Sequence, residues 1–265
     1  MAHVLGRNRA WLIAHGDDDL PAEHASAFLA LAKRRRDGEP VAYLTGEREF
    51  WGLPLRVSPA VLIPRPETET LVEVALALLP SDAPVRVLDL GTGSGAVALA
   101  IAHERPNAAI VATDIAQAAL DLARSNAERL SLGNITFVRS DWYAELPAAV
   151  EPFDLIVSNP PYVDRADEHM QQGDLRYEPE HALTPGADAL LALRRLVLDA
   201  RGWLKPRGHV AVEHGYDQAD AARALFDTAG FADVRTARDL AGIARVTYGR
   251  GDFLVGSEGR LPAST

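Results

Sequence analysis

The residues best placed to do chemistry are Asn159, Pro160, Pro161 and Tyr162, which follow directly on the apolar run from Phe153 to Ser158. Two consecutive prolines fix φ and donate no backbone hydrogen bond, so the chain must leave a β-ladder as a stiff, extended turn. That turn would hold a carboxamide, free carbonyl groups and an aromatic ring at the carboxyl end of a strand. Open α/β sheets bind their ligands at such ends. A rigid pair of oxygen acceptors beside an aromatic face suits a flat, neutral NH2 group, on a carboxamide or on an amino-substituted base. Asn-Pro alone is also an ordinary turn starter, so its meaning depends on what stands upstream.

Upstream, Val87-Leu88-Asp89-Leu90-Gly91-Thr92-Gly93-Ser94-Gly95 reads as a strand, a glycine-rich turn and the start of a helix. Glycines there let the backbone approach a ligand, and a helix N-terminus offers unpaired N–H groups. The spacing is G-x-G-x-G, which differs from the dinucleotide pattern G-x-G-x-x-G. Asp89 also fits badly with a pyrophosphate. A carboxylate at this turn would rather meet a positive charge, such as an ammonium or a sulfonium, so Asp89, Gly91, Thr92, Gly93, Ser94 and Gly95 are candidate cofactor contacts. Asp114 ends the next strand about twenty residues on, where an acid can accept from ribose hydroxyls. Ser140-Asp141-Trp142 ends the third strand, with an acid and an aromatic that could bind and stack on adenine. Each has a plainer use, Asp114 as a helix cap and Trp142 in the core. Together they point to a nucleoside cofactor and favour S-adenosylmethionine over NAD.

Alternating strands and helices must position these residues. The pattern predicts strands at 85–90, 109–113, 135–138, 153–158 and 209–213, and helices at 96–103, 116–130, 187–203 and 217–229. Strands separated by helices mean a parallel sheet covered on both faces. Two further strands, 231–235 and 244–248, have no helix between them and predict an antiparallel edge, hence a mixed sheet. Before this domain, residues 22–36 carry Ala25, Phe28, Leu29 and Ala32 on one helical stripe, with a shorter helix expected near 9–15. Such a thin pair should lean on something else. Residues 41–63 read as strand, with Trp51-Gly52 as a tight hairpin turn, and Pro66 opens the next helix with Glu67 and Glu69 in its first turn.

The chain has 265 residues, 48% apolar and 24% charged, and a net charge of −10. That balance speaks against a nucleic-acid backbone as the main ligand. The dense basic run Lys33-Arg34-Arg35-Arg36 reads first as a solvated helix end, and second as a patch for an acidic partner. With no cysteine, thiol chemistry and disulfides are excluded. The eight histidines show no metal-ligand spacing, so no metal is expected. No run of apolar residues is long enough to span a membrane, and the start lacks the apolar core of a signal peptide. Cytoplasmic residence is the expectation.

These residues resemble class I S-adenosylmethionine-dependent methyltransferases, with Asn159-Pro160-Pro161-Tyr162 as the signature of enzymes that methylate amide or amino nitrogens. More narrowly, the chain is similar to the HemK/PrmC family, protein-(glutamine-N5) methyltransferases that modify peptide chain release factors. The similarity runs through Pro40 to Gly46, Phe50-Trp51-Gly52, Val61 to Glu69, the glycine loop, Tyr177-Glu178-Pro179, Glu213-His214-Gly215 with Gln218, and Asp239 to Gly242 with Arg245. The resemblance implies a Rossmann-like mixed seven-stranded α/β sheet with a small N-terminal helical domain and a connecting β-hairpin. It implies a docking lobe at 1–40, a hairpin linker at 41–63 and a methyltransferase domain at 64–265. The implied substrate is the glutamine of a Gly-Gly-Gln release-factor motif, set against Asn159, Pro160, Pro161 and Tyr162. Asn159, Pro160 and Tyr162 would be catalytic, with Asn159 also touching S-adenosylmethionine. The chain departs from the family in a shorter N-terminal lobe and in Pro185-Gly186-Ala187-Asp188-Ala189, where the family favours Gly-Gly-x-Asp-Gly. Rival readings are glutamine methylation of a ribosomal protein, methylation of adenine N6 or cytosine N4 in nucleic acid, and a cofactor-binding adaptor without catalysis.

Overall fold

The structure is a computed structural model that describes residues 1–147, 149–171 and 173–252. Residues 253–265, the end of the expected catalytic domain, lie outside the described residues. The main sheet comprises β3 (Arg86–Leu90), β4 (Ala109–Asp114), β5 (Ile135–Arg139), β6 (Phe153–Ser158), β7 (Leu204–Glu213), β8 (Phe231–Arg238) and β9 (Ala244–Gly251). Its order is β5-β4-β3-β6-β7-β9-β8. β3 to β7 run parallel, so their carboxyl ends all open at one edge.

Successive side chains of these strands go to opposite cores. Val87, Leu155, Val157 and Ala211 join one apolar cluster, and Leu88, Leu90, Ile156, Val210 and Val212 join the other. Strands buried on both faces must be apolar throughout, which is why they read as continuous hydrophobic runs. α5 (Glu69–Leu78) and α6 (Ala96–Glu104) cover the first face, and α9 (Leu191–Asp199) and α10 (Ala219–Thr228) the second. α7 (Gln117–Arg129) leads from β4 to β5.

The two late strands form the expected antiparallel pair at the sheet edge, with β9 between β7 and the outermost strand β8. α10 carries the chain past one strand position, and the hairpin return fills the gap. The helix expected over 187–203 begins only at Leu191 and ends in a 3₁₀ turn, Ala200–Trp203. Asp188 holds the preceding turn by accepting from the Leu190 N–H at 3.0 Å and from Arg194 at 2.8 Å.

In the N-terminal part, α1 (Ala2–Leu5), α2 (Arg9–Ala14) and α3 (Ala22–Arg36) contain no fully buried residue. Leu29, expected on the buried stripe, is 65% exposed. The lobe leans instead on the loop before α8 (Glu180–Leu183). Arg35 pairs with Asp174 at 2.8 Å, and Arg176 and the Tyr177 hydroxyl both donate to the Asp37 carbonyl, at 2.5 and 2.8 Å. Gly38 makes this approach possible, because a Cβ there would collide with the Arg176 guanidinium. Part of the basic run is thus an internal clasp: Arg34 pairs with Glu39 as well.

Residues 41–45, read from sequence as strand, form the short helix α4 (Val41–Thr45) between Pro40 and a left-handed Gly46. The hairpin follows as β1 (Glu47–Phe50) and β2 (Leu53–Arg56), closed by Trp51 and Gly52 at φ 54° and 70°. Positive φ at both central residues is the turn whose twist matches paired strands. The hairpin is welded to the sheet domain: Phe50 and Leu55 sit in the same cluster as Leu71 and Leu99. Asn126 accepts from the Arg56 N–H at 2.8 Å and donates to the carbonyls of Arg56 and Ser94 at 3.0 and 2.9 Å. One side chain therefore ties the hairpin to the glycine loop. Leu55→Ala should accordingly lower the stability of the whole sheet domain by ~2–5 kcal/mol, as expected for a truncated core leucine. Urea unfolding followed by tryptophan fluorescence would check this, and a hairpin that melted separately would contradict it.

Candidate active site

The carboxyl ends of β3, β4, β5 and β6 surround a cleft of about 360 Å³, within the range of small-molecule sites. Asp89, Gly91, Thr92, Gly93, Ser94, Asp114, Trp142, Asn159 and Pro161 all line it. Gly95 sits at the start of α6 with φ 87°, where a Cβ would press on Leu99 and Ala123, so its role is to let that helix pack. Pro160 is buried, and Tyr162 is half-buried outside the cleft lining.

Four of the glycine loop's N–H groups are already engaged. Gly91 and Thr92 both donate to the Thr113 carbonyl, at 2.9 and 2.8 Å, and Gly95 donates to Thr92 at 2.8 Å. The Gly93 N–H donates to Asp114 Oδ2 at 2.9 Å. A pyrophosphate needs such donors free, and here it would also face two carboxylates. Space at Gly93, where an added Cβ would meet nothing within 4 Å, leaves the loop open to a ligand of another charge.

Asp89 is buried, and accepts from the Thr92 hydroxyl at 2.7 Å. Burial pushes its carboxyl up to about 7, against the opposing effect of that hydrogen bond. Asp114 also accepts from the Ala116 N–H at 2.9 Å, so it braces the turn into α7 as well as the glycine loop. Trp142 adopts a left-handed φ of 54° and lies with its ring edge over Gly91, while also packing on the second core cluster. Both uses considered for Trp142, core and cleft, are therefore present together.

At the turn after β6, the Asn159 Nδ2 donates to Thr68 Oγ1 at 3.0 Å, which leaves Oδ1 for the cleft. Among the described residues no donor meets Asn159 Oδ1 or the Pro160 carbonyl. The Tyr162 hydroxyl donates to Glu213 Oε1 at 3.3 Å, and its carbonyl accepts from Gln218 at 3.0 Å. Burial and the facing Glu213 push the Tyr162 hydroxyl pKa up, so it remains a donor. Sequence reasoning gave no role to Glu213 or Glu178, and read Arg65 and Thr68 only as part of a segment, 63–68, that could serve as a linker and cap or wall the site. Glu178 is buried, accepts from the Ile63 N–H at 3.2 Å, and pairs with Arg65 on the cleft wall. Their presence in recurring motifs was the available signal; their pairing was not visible.

Comparison with known proteins places this geometry. A family model described as methyltransferase small domain matches residues 68–195, and one described as PrmC N-terminal domain matches residues 1–46. A release factor glutamine methyltransferase of Bordetella pertussis is 53% identical over 247 residues, covering 93% of this chain and 91% of the relative. That of Escherichia coli K12 is 49% identical over 250 residues, covering 94% and 89%. The chain belongs to the release factor glutamine methyltransferase family. A crystal structure of a methyltransferase from Pyrococcus furiosus shares the fold, with a TM-score of 0.55 over 88% of this chain and all of that one, at 18% identity. In this family member, no helix among the described residues is long and apolar enough to cross a membrane.

Asp89 makes a stability prediction. Its folded pKa of about 7 lies above the ~3.9 of an unfolded aspartate, so the folded state keeps a proton that the unfolded state releases. Its stabilising contribution is full below about pH 4 and is lost as pH rises through about 7. Between pH 5 and 8 the ligand-free wild type should therefore lose more stability than Asp89→Asn, by urea midpoints at each pH. Parallel profiles would rule this out.

Proposed function

We propose that the cleft binds S-adenosylmethionine and that the Asn159–Tyr162 turn presents to it the side-chain amide of the glutamine in a release factor's Gly-Gly-Gln motif. One observation carries the reading: the Asn159 carboxamide, on the cleft wall, is held from behind by Thr68, which leaves its Oδ1 as an acceptor, and among the described residues no donor meets the Pro160 carbonyl next to it. The residues of the cleft fit this cofactor. Asp89 suits the ammonium, Asp114 the ribose hydroxyls, and Trp142 the adenine, while Gly91, Thr92, Gly93 and Ser94 let the methionine portion approach the backbone. Asn159 borders both ligands. When bound, S-adenosylmethionine supplies a methyl carbon on a sulfonium, whose bonding pair stays on sulfur as the methyl moves to nitrogen.

An amide nitrogen is a poor nucleophile because its lone pair is delocalised into the carbonyl, the conjugation behind a rotation barrier of ~18–20 kcal/mol. Asn159 Oδ1 and the Pro160 carbonyl each accept one N–H of the substrate NH2. With both protons held, the lone pair can turn toward the methyl. Fixing this alignment can contribute up to ~7–11 kcal/mol through proximity and orientation. The same two oxygens stabilise positive charge as it builds on nitrogen, by about 3 kcal/mol by analogy with one oxyanion-hole donor. The methylated nitrogen then loses its extra proton to water, so no general base is needed. Pro161 walls the cleft, and Tyr162, anchored through its hydroxyl, backs the turn and the substrate amide.

The domain roles follow. Residues 1–40 dock the release factor, 41–63 connect, and the domain from 64 onward carries out transfer, in the cytoplasm where translation occurs. No metal takes part in this scheme. Incubation with labelled S-adenosylmethionine and release factor should place one methyl on the motif glutamine, mapped by mass spectrometry, with none on a Gly-Gly-Ala variant or on DNA. Asn159→Ala should lower kcat about 10²–10³-fold, the range seen on removing one preorganised polar partner. S-adenosylmethionine binding by calorimetry should change by only a few fold. Equal losses in both would reduce Asn159 to a structural residue.

A further inference from the structure

Gln218 opens α10 as its N-cap residue, yet its side chain makes no capping bond to that helix. Glutamine is not among the residues favoured there, whose short side chains reach their own helix's N–H groups. The Gln218 carboxamide reaches instead to the Asn159–Tyr162 turn. Its Nε2 donates to the Tyr162 carbonyl at 3.0 Å, 56 residues back along the chain, and its Oε1 accepts from the Gly215 N–H at 2.9 Å. A backbone N–H can only donate, so the Gly215 contact fixes which end of the carboxamide faces Tyr162. Gly215 is buried, and a Cβ there would lie 3.1 Å from the Gln218 carboxamide carbon.

We infer that Gln218 is a positioning residue: by clamping the Tyr162 carbonyl it fixes the exit of the Asn159–Tyr162 turn and so holds the Pro160 carbonyl in place for the substrate amide. The inference rests on the function proposed above and deepens it. Pro160 and Pro161 have no N–H, so neither can anchor the turn as a backbone donor. The Pro160 carbonyl is itself reserved for the substrate. The turn must therefore be held at its two flanks. Thr68 holds the Asn159 side chain at the entrance, and Gln218 holds the Tyr162 carbonyl at the exit. The Tyr162 hydroxyl bonds Glu213 at 3.3 Å; Glu213 ends β7 and Gly215 follows it closely, so both polar ends of Tyr162 are fixed from one segment. An acceptor in place of Nε2 would face the Tyr162 carbonyl lone pairs and push the exit of the turn away.

The test measures kcat, KM for release factor, S-adenosylmethionine Kd and Tm for wild type, Gln218→Met, Gln218→Glu and Gly215→Ala at about pH 8, well above the ~4.3 of an ordinary glutamate. Gln218→Met keeps the length of the side chain and removes both polar ends. Gln218→Glu keeps the acceptor for Gly215 and loses the donor to Tyr162. Each should lower kcat by about 5–50-fold, the scale of a hydrogen bond lost with its carbonyl left unmatched. KM and the cofactor Kd should stay within about threefold, as for a contact that matters in the transition state. Gln218→Glu should be no faster than Gln218→Met. A merely structural role in closing the loop at Gly215 gives the opposite order, because glutamate keeps that bond. A Gln218→Met enzyme with wild-type kcat overturns the inference, as does a Gln218→Glu faster than Gln218→Met or a loss confined to KM. Should both variants at 218 fail to fold, Gly215→Ala decides, since it removes no polar group and only crowds the carboxamide. A kcat lowered about threefold or more then supports the inference, and wild-type kcat overturns it. A wild type that methylates no release-factor glutamine overturns the functional reading itself, so wild-type turnover tells the two failures apart.

Discussion

A single hydrogen bond, from Asn159 Nδ2 to Thr68 Oγ1, governs how this site can be read. A carboxamide has a donor end and an acceptor end of nearly the same shape, so its usefulness to a substrate NH2 depends on which end is held at the back. Thr68 lies in the 3₁₀ turn opened by Pro66, far along the chain from the end of β6. The segment from Ile63 to Thr68 therefore reaches into the turn after β6. Its wall is braced in turn by Glu178, and the residues just before Glu178 hold the N-terminal lobe through Asp37. A continuous set of contacts links the lobe's edge to the cleft wall, and it consists of ordinary polar pairs between loops.

The parallel sheet explains why so many polar groups meet here. Strands buried on both faces have no place for carboxylates or amides along their length, so these collect where the strands end. Because β3 to β6 are parallel, their ends coincide, and one edge receives Asp89, Asp114 and Asn159 together. β7 ends beside them and contributes Glu213. The β8–β9 hairpin supplies Arg245 against the same corner, paired to the Asp239 that shapes its turn.

Much of this was legible in the sequence. The run Phe153 to Ser158 is a strand with those bounds, and the glycine spacing together with Asp89 argued against a pyrophosphate before the loop's engaged N–H groups were seen. Residues 41–45 misled because valine and tyrosine favour strands, whereas Pro40 and Gly46 impose a short helix from outside the segment. The exposed Leu29 shows the limit of periodicity in a lobe with hardly any core of its own. Thr68 and Glu213 stood inside recognisable motifs, yet nothing local marked them as the partners of Asn159 and Tyr162. Hydrogen-bond chains across long loops are set by the folded register, and a sequence pattern carries no term for them.

The electrostatics of the edge select the chemistry. Burial raises Asp89 and Glu213 to about 7 each, in a chain already carrying a net charge of −10. Such groups resist ionisation until a positive charge arrives, and then they favour it strongly because little water remains to screen them. An anionic ligand would add to the unfavourable balance; a ligand bearing an ammonium and a sulfonium would relieve it. The same field acts on the substrate side, where a neutral amide nitrogen must become positive as it gains a methyl. Acceptors fixed in advance by the fold need no reorientation at that moment, which is the condition under which polar groups stabilise a transition state more than a ground state. The unfavourable burial of two acids and the ease of building a cation beside them are one physical arrangement seen from its two ends.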